Sequence, residues 1–327
     1  MKKFHIYGLG AALVDTEIEV SDHFLQTANI EKGLMTLVDE ARQNELLELM
    51  KDHLVGSKRA SGGSACNSII AASYFGAETF YSCKVSNDDN GHFFHNDTKA
   101  AGVTIQTNAL PEGTTGKCLV MITPDAERTM NTFLGISETL GESELDHNAI
   151  AQSEYLYLEG YLVTSPTGKA AAIKAREVAE KNKVKTAISL SDPGMVEFFG
   201  DGLKDMIGEQ VDLLFCNKDE ALSWTKTENI EQAAHVMKES AKTFAITLGK
   251  EGALVFDGSE FTTVAGESVK AIDTNGAGDM FAGAFLYAIT AGKSFQAAAK
   301  LANRAAAKVV SQYGPRLHPE QYALLNA

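Results

Sequence analysis

A short glycine-containing stretch near the C-terminal end of the chain holds the residues best suited to chemistry. Residues 273–279 read Asp-Thr-Asn-Gly-Ala-Gly-Asp, between a predicted short strand at 268–272 and a predicted apolar helix. The free amides and the dipole of a helix N-terminus bind anions. A carboxylate in the first helical turn, Asp279, could take the proton from an attacking hydroxyl. The stretch therefore predicts phosphoryl transfer, although alone it also fits a helix cap built from small residues.

Composition narrows the kinds of partner that the chain can have. The 327 residues are 44% hydrophobic, enough for one large α/β domain, and carry a net charge of −14 with a pI near 5.0. Nucleic acids and anionic membrane surfaces attract basic proteins, so this balance argues against both as partners. The phosphates of a nucleotide would meet the same repulsive field, so a nucleotide site needs backbone amides, a few cations and Mg²⁺.

The cysteine, histidine and apolar patterns indicate a cytoplasmic protein. The scattered cysteines form no CxxC pair, which predicts free buried thiols in a reducing compartment: Cys66, Cys83, Cys118 and Cys216. The eight histidines do not cluster at the spacing of zinc or iron ligands. The N-terminal apolar run predicts a first strand rather than a signal peptide, and no stretch approaches the ~18 apolar residues of a membrane span.

Alternating strands and helices after residue 154 define the fold class. Strands are predicted at 155–158, 186–190, 213–216 and 243–247, and helices at 167–181, 218–223, 230–242, 278–290 and 295–312. Such repeats predict a doubly wound, mostly parallel sheet with helices on both faces. Ligands of these sheets bind at the carboxyl ends of the strands. Asn217 and Glu220, residues 247–252 and residues 273–279 each follow a predicted strand, so we expect them to meet in one site.

The N-terminal half predicts a second, smaller sheet. A hairpin at 118–133 and strands at 13–20 and 34–38 are rich in β-branched and apolar residues, with little helical periodicity. We see no long linker and no internal repeat. We therefore interpret residues 1–327 as a single α/β domain with the strands of a β-sheet lid inserted at about 11–38 and 103–137.

Two glycine-rich turns in this half suggest ligand contacts. Gly-Leu-Gly at residues 8–10 resembles the start of a dinucleotide fingerprint, but Leu13 replaces the third glycine and a strand follows, which disfavours a nicotinamide-dependent oxidoreductase. Asp15 follows this turn and could bind sugar hydroxyls or be a solvated acid. Gly62 and Gly63 lie in a flexible loop before a predicted helix, as a simple turn, a hinge or a point of close ligand approach.

Taken together and in this order, the motifs resemble the ribokinase-like family of carbohydrate and nucleoside kinases over nearly the whole chain. The N-terminal motif is Gly-Gly-Ser-Ala-Cys-Asn at 62–67. Asn-Lys-Asp-Glu at 217–220 and Thr-Leu-Gly at 247–249 match intermediate motifs, and residues 273–279 match the C-terminal one. The resemblance implies an ATP-dependent phosphotransferase with an alcohol group as acceptor, acting on a small-molecule sugar or nucleoside.

The resemblance also implies a role for each matching residue. Asp279 would be the general base, and three backbone amides would form the anion hole for the phosphoryl group, those of Gly276, Ala277 and Gly278. The sugar would be bound by Asp15, Gly62, Gly63 and Asn67. The ATP would lie along Asn217, Glu220, Thr247, Gly249 and Gly252, with Asn303 near the adenine. Glu220 would hold Mg²⁺ through water, and Asp273 and Asn275 match positions that bind a monovalent cation, K⁺, in many members.

The resemblance leaves the acceptor open. Asn275 and the segments 32–39 and 115–118 resemble adenosine kinases and their bacterial relatives, which favours a nucleoside phosphorylated at the ribose 5′-hydroxyl. Met130 and Phe133 could form an apolar wall for its base. A furanose kinase acting on fructose or ribose is the alternative, and a catalytically silent sensor with the same fold is a third. A monomer and a homodimer are both compatible with the sequence.

Overall fold

One large sheet forms the centre of the described residues, 2–51, 58–106 and 110–326 of a computed structural model. Its nine strands are β1 (Phe4–Leu9), β5 (Thr79–Ser82), β6 (Thr104–Ile105), β9 (Ser153–Glu159), β10 (Lys185–Ser189), β11 (Val211–Asn217), β12 (Ala241–Thr247), β13 (Gly252–Phe256) and β14 (Phe261–Ala265). They lie in the order β14-β13-β12-β11-β10-β9-β1-β5-β6. Only the pairings of β13 with β12 and with β14 are antiparallel among these strands. The predicted doubly wound, mostly parallel sheet is therefore confirmed.

A smaller sheet contains the predicted hairpin. Its strands are β2 (Leu13–Glu19), β3 (Met35–Leu37), β4 (Lys58–Gly62), β7 (Thr115–Ile122) and β8 (Arg128–Gly135), in the order β3-β8-β7-β2-β4. Ser61 and Gly62, which we expected in a flexible loop, instead belong to β4, because this strand pairs antiparallel with β2. Residues 104–105 fall within the predicted lid segment, but as β6 they pair with β5 in the large sheet.

Helices cover both faces of the large sheet. One face packs against α3 (Ser64–Phe75), α4 (Asp89–Ala100), α10 (Ala277–Thr290), α11 (Phe295–Val309) and α12 (Pro319–Asn326). The other packs against α5 (His147–Ala151), α6 (Pro166–Lys181), α7 (Pro193–Ile207), α8 (Lys218–Thr225) and α9 (Ile230–Met237). The remaining helices, α1 (Asp22–Thr27) and α2 (Glu40–Leu49), pack on the smaller sheet. Among the described helices, none has the length and apolar character needed to cross a membrane.

Helices α3 and α10 approach each other closely because a glycine lies at their crossing. A methyl group on Gly283 would lie 2.3 Å from the carbonyl oxygen of Ser68, so a larger residue would push the helices apart. The apolar side chains Met280, Phe281 and Phe285 are buried in the same core. This packing sets the first turns of the two helices beside each other.

The strand that we predicted at 268–272 is not formed. Residues 267–271 are exposed, and the strand that ends this edge of the sheet is β14. The backbone N–H groups of Ile272 and Asp273 donate instead to the carbonyl oxygen of Val310, at 2.8 and 3.3 Å, where α11 ends. Residues 273–279 therefore follow an irregular connection, and α10 begins at Ala277, one residue earlier than predicted.

Helix α7 was not predicted, and α9 is shorter than predicted. Gly200 and Gly202 interrupt the apolar pattern of α7, and Phe199 has non-helical angles of −125° and 20°. The predicted helix at 230–242 ends at Met237 because the chain enters β12 at Ala241. These differences lie in connecting elements and do not change the fold class.

Candidate active site

A cavity of about 300 Å³ lies between the smaller sheet and the carboxyl ends of the strands of the large sheet. Most of the residues singled out from the sequence border it, namely Asp15, Gly63, Asn67, Asn217, Glu220, Thr247, Asn275, Gly276, Ala277, Gly278 and Asp279. The others, Gly62, Gly249, Gly252, Asp273 and Asn303, are not part of its lining. The fold thus brings residues that are up to 264 positions apart in the sequence (15 to 279) to one cavity.

Side chains of the neighbouring helix α3 donate hydrogen bonds to the carboxylate of Asp279. The hydroxyl of Ser64 donates to Oδ1 at 2.7 Å, and Nδ2 of Asn67 donates to Oδ2 at 3.1 Å. All three side chains lie in the first turns of α3 and α10, where helix dipoles favour negative charge. Burial nevertheless raises the pKa of Asp279, while these two hydrogen bonds oppose the rise. The carboxylate is fixed in orientation and is more basic than a solvated aspartate.

The turn before α10 places Gly276, Ala277 and Gly278 in the lining of the cavity, and the N–H of Ala277 donates to the carbonyl oxygen of Thr274 at 3.3 Å. Gly276 caps the helix with φ of 73°, a left-handed conformation that favours glycine. A methyl group there would also lie 2.6 Å from the Cα of Pro315. The Nδ2 group of Asn275 is buried and has no hydrogen-bond partner among the described residues. A ligand with acceptor oxygens, such as a phosphoryl group, fits both the turn and this unpaired donor.

Asp273 supports the turn from beneath. Its side chain is fully buried, Oδ1 accepts from the backbone N–H of Asn275 at 2.8 Å, and Oδ2 accepts from that of Gly314 at 2.9 Å. Burial raises the pKa of this carboxyl, and the two backbone hydrogen bonds oppose the rise. Asp273 thus joins the 273–279 turn to the segment after α11.

Asp15 projects from β2 into the cavity, and Gly62 makes room for it. A methyl group on Gly62 would lie 2.1 Å from the carboxyl group of Asp15, so this glycine is needed even though it does not line the cavity. Gly63, with φ of 100°, begins α3. Burial raises the pKa of Asp15 to about 8, and the charge of Arg316 opposes the rise. Asp15 is therefore a buried acid and not the solvated one that we considered as an alternative.

Asn217 and Glu220 cap α8 at the end of β11. Their side chains exchange hydrogen bonds with each other's backbone N–H, and Asn217 Nδ2 also donates to Glu220 Oε1 at 2.6 Å. Burial raises the pKa of Glu220 to about 7, which the N–H of Asn217 opposes. The pair gives the cavity one buried carboxylate at the edge opposite Asp15.

Three residues expected along the nucleotide, Asn303, Gly252 and Gly249, lie outside the cavity lining. Asn303 Nδ2 donates to the backbone carbonyls of Val264 and Ala265, at 3.0 and 3.2 Å, which ties α11 to β14. Gly252 packs against β14, where a methyl group would lie 2.1 Å from the oxygen of Val264. Gly249 has φ of 58° and open space around it. These positions border the sheet edge beside the cavity.

Glu159 is a site residue that sequence reasoning missed. It is buried at the end of β9, where Oε1 accepts from the N–H of Ala11 and Oε2 from that of Ala65, each at 2.7 Å. It therefore joins the turn after β1 to the first turn of α3. Burial raises its pKa to about 7, and these two backbone hydrogen bonds oppose the rise. Its position at a strand end, beside a predicted ligand edge, was the signal that could have found it.

Arg128 was also missed, because one arginine in a hairpin carries no sequence signal. It lies in β8 on the cavity side, and its Nε is buried without a hydrogen-bond partner among the described residues. Burial raises the pKa of Asp279 and of Glu220, and the charge of Arg128 opposes both rises. Arg128 thus brings a cation from the smaller sheet to a cavity rich in carboxylates.

The smaller sheet gives the cavity an apolar wall. Alternate residues of β8 face the cavity, including Met130 and Leu134, and Leu13, Met35 and Leu37 complete the wall. Phe133, which we proposed together with Met130, is not in the lining, because successive side chains of a strand point to opposite faces. Among the described residues, the wall is therefore aliphatic and thioether in character.

We predict that Asp15→Asn stabilises the ligand-free protein, and increasingly so as the pH rises. The folded pKa lies above that of the unfolded chain, so folding loses stability as the pH rises from about 4 through about 8. The neutral amide has no such loss, and we expect its advantage to grow by on the order of 3 kcal/mol between pH 5 and pH 9. Urea unfolding at both pH values measures this.

Asp205→Asn is the control for that experiment, since its carboxylate is 57% exposed. We expect the difference between the effects at pH 5 and pH 9 to be larger for Asp15→Asn than for this variant at an exposed position. An equal effect of Asp15→Asn at pH 5 and pH 9 would show that Asp15 is not a buried, protonated acid in the folded state.

A glycine-containing turn at a helix N-terminus, next to an oriented carboxylate and under a second sheet, is the arrangement expected of a phosphotransferase. Residues 40–321 match the family model described as pfkB family carbohydrate kinase, and the chain belongs to this family. Its fold is accordingly ribokinase-like, as the motifs predicted, and the chain is a kinase.

Solved structures and curated relatives agree with this assignment. The adenosine kinase from Sinorhizobium meliloti is 34% identical, with a TM-score of 0.92 over 99% of this chain and 100% of that one. A probable sugar kinase from Rhizobium etli CFN 42 is also 34% identical, with a TM-score of 0.90 over 97% of this chain and 96% of that one. The adenosine kinase of Schizophyllum commune is 26% identical over 97% of both chains.

Proposed function

We propose that this kinase transfers the γ-phosphoryl group of ATP to the 5′-hydroxyl of an adenosine-like nucleoside. The observation that carries the proposal is the division of the cavity into a polar and an apolar part. Asp15 and Asn67 offer polar groups suited to sugar hydroxyls, and the wall from the smaller sheet offers Leu13, Met130 and Leu134. A ribose needs only the polar part, whereas a nucleoside also buries its base against the apolar part.

The proposed reaction begins with proton removal by Asp279. The acceptor hydroxyl lies against the carboxylate, its oxygen attacks the γ-phosphorus of ATP, and its proton passes to Asp279. The bond from the γ-phosphorus to the bridging oxygen of ADP breaks in the same displacement. The raised pKa of Asp279 supports this role, since a more basic carboxylate accepts a proton more readily.

The phosphoryl oxygens are proposed to meet the amides of Gly276, Ala277 and Gly278. These residues lie at the start of α10, where the helix dipole adds a positive potential, and the N–H of Ala277 would exchange its 3.3 Å hydrogen bond to Thr274 for a phosphoryl oxygen. Arg128 supplies a positive charge from the opposite side, which fits its lack of an acidic partner among the ion pairs of the described residues. Charge that develops in the transition state is thereby stabilised from two directions.

ATP and Mg²⁺ are proposed to bind along the α8 and β12 side, next to Asn217, Thr247 and Gly249. A buried carboxylate is an oxygen donor of the kind that Mg²⁺ prefers, so Glu220 fits a role in holding it through water. When bound, Mg²⁺ neutralises charge on the phosphates of ATP. The contacts of Asn303 and Gly252 with β14 support an indirect role for both, in shaping the edge where the adenine binds.

A monovalent cation such as K⁺ is proposed to bind near Asp273 and Asn275. Asp273 is a fully buried carboxylate, and the ion pairs found among the described residues do not include it. A cation there would relieve the cost of burying the charge and would stabilise the turn that carries the anion hole.

Similarity to named proteins supports both a nucleoside and a sugar as the acceptor. The structure from Sinorhizobium meliloti is called an adenosine kinase, and the one from Rhizobium etli a probable sugar kinase, at the same identity of 34%. The apolar wall favours the nucleoside. A furanose kinase is the alternative, and a protein that binds these ligands without turnover is the third case.

A panel of acceptors tests the proposal. Adenosine, inosine, cytidine, ribose and fructose are each assayed for ADP release with ATP and Mg²⁺, in KCl and in choline chloride. We expect adenosine to give the highest kcat/KM, by at least about tenfold over the free sugars, since burying a base adds ~1.4 kcal/mol or more. Activity should vanish in chelator and fall without K⁺.

A matched pair of variants in β8 tests whether the apolar wall contributes to the binding of adenosine. Leu134→Ala removes part of the apolar wall and should raise the KM for adenosine about tenfold while leaving that for ribose unchanged. Phe133→Ala is the control, because its side chain is outside the cavity lining. Fructose or ribose as the best acceptor would make the chain a furanose kinase, and binding without ADP release from any acceptor would make it a sensor.

A further inference from the structure

Arg316 lies in the segment between α11 and α12, where no motif predicted a function. Its side chain is 14% exposed and pairs with Asp97 of α4, with Nη1 to Oδ2 at 2.7 Å. Nη2 donates to the hydroxyl of Ser61 at 2.9 Å, and that hydroxyl also donates to Asp97. These contacts fix the guanidinium beside β4 and α3, behind the cavity.

The same guanidinium is linked to the substrate side of the site by hydrogen bonds through Asn67. Its Nη2 also donates to Oδ1 of Asn67 at 3.5 Å. The other end of that carboxamide, Nδ2, donates to Asp279 at 3.1 Å. Arg316 thus holds the acceptor end of Asn67, which turns the donor end toward the carboxylate of Asp279.

The neighbouring segment binds the anion-binding turn as well. Gly314 donates its N–H to Asp273 at 2.9 Å, and Pro315 packs where a side chain on Gly276 would lie. Three consecutive residues therefore contact the anion hole on one side and the Asn67 side chain on the other. We therefore consider a single role in the reaction for residues 314–316, rather than two unrelated roles in packing.

Charged and titratable groups surround Arg316 from several elements. Those that interact with it are Asp15 on β2, Cys66 and Tyr74 on α3, Asp97 on α4, Asp279 on α10 and Tyr322 on α12. Arg128 on β8 is a second cation near Asp279, and that carboxyl also interacts with Tyr157 and Glu159 on β9 and with Tyr161 just after it. Burial raises the pKa of Asp15 and of Asp279, and the charge of Arg316 opposes both rises.

We propose that Arg316 is a positioning residue for phosphoryl transfer, acting through Asn67 and not by touching either substrate. It sets the orientation of the Asn67 carboxamide and thereby the orientation of Asp279. This inference rests on the proposed function, because it assigns Arg316 to the reaction in which Asp279 accepts a proton.

The test combines Arg316→Met with the charge-retaining Arg316→Lys, in the wild-type and Asn67→Ala backgrounds. We expect Arg316→Met to lower kcat about 30-fold with the KM for ATP unchanged, and to cost less than about threefold once Asn67 is absent. The acid limb of the pH profile should move to higher pH in Arg316→Met, since the pKa of Asp279 rises when the cation is lost. Arg316→Lys should restore the pH limb but not kcat, because it lacks the fork that holds Asn67.

Arg176→Met is the matched control, since Arg176 is also 14% exposed and paired, here with Glu180 on α6 far from the cavity. It should leave kcat and the pH limb unchanged. If Arg316→Met does not fold, Asp97→Asn tests the same link by freeing the guanidinium, with an expected fall in kcat of about fivefold that again shrinks without Asn67.

Two results would overturn the inference in different ways. Equal losses in the wild-type and Asn67→Ala backgrounds, with an unmoved pH limb, would make Arg316 a purely structural residue while the kinase assignment stood. Absence of turnover in the wild-type chain with every acceptor would overturn the proposed function and this inference together.

Discussion

Replacement of Asp279 by asparagine is expected to lower kcat by about 10²- to 10⁴-fold while ATP still binds. The amide has nearly the shape of the carboxylate, and its oxygen can still accept the hydrogen bond from Ser64. It cannot take a proton from the acceptor, so the loss should fall on the chemical step. The nitrogen would also face Nδ2 of Asn67, two donors in contact, which adds to the loss.

The measurement is kcat and KM for both substrates, with nucleotide affinity from calorimetry. Asp146→Asn is the matched control, because Asp146 also stands at a helix N-terminus, where it caps α5 outside the cavity. It should retain the activity of the wild-type chain. A turnover within about threefold of wild type in Asp279→Asn would exclude Asp279 as the base.

The second large effect is expected at the turn before α10, the proposed site of anion binding, where two glycines should respond differently to alanine. At Gly276 the new methyl group would meet Pro315 at 2.6 Å, with φ at 73°. We expect a loss of on the order of 2–4 kcal/mol in the free energy of unfolding, and a fall in kcat of about 10²-fold or more.

Gly278→Ala separates activity from stability. Nothing lies within 4 Å of the added methyl group, so the ligand-free protein should be as stable as wild type or slightly more so. The methyl group faces the space that the phosphoryl group is proposed to occupy, so kcat should still fall. Gly200→Ala, equally free of close neighbours but far from the cavity, is the control. An active Gly278→Ala would contradict the assignment of the anion hole.

The fold class could be predicted because its signals are local and repeated. Strands β9 and β11 are apolar runs followed by the helical patterns of α6 and α8, and such alternation needs no knowledge of distant contacts. Errors occurred where a partner elsewhere decides the outcome. Residues 268–272 have a β-like pattern but no strand beside them, and residues 58–62 became β4 because β2 offers an edge.

The candidate site was predicted only as far as motifs extend. Asp279, Asn67 and Asp15 stand in recognisable sequence contexts, and the cavity includes all three. No sequence motif contains Glu159, Arg128 or Arg316. Their roles depend on which side chains the tertiary fold places beside them. Asn303 was predicted to lie near the adenine, but its side-chain amide donates to two backbone carbonyls at β14. No local sequence pattern indicates this contact.

The close approach of Gly62 to Asp15 limits which residues can occupy these two positions in the family. The side chain of Asp15 fills the volume that Gly62 leaves free, because a Cβ atom at position 62 would lie 2.1 Å from the carboxyl atoms of Asp15 and overlap them. The two positions therefore depend on each other. A larger residue at position 62 is compatible only with the loss of the acid at position 15 or with a shift of its side chain. Among related sequences, we expect the pair to change together: a chain with a larger residue in place of the glycine should also lack the acid.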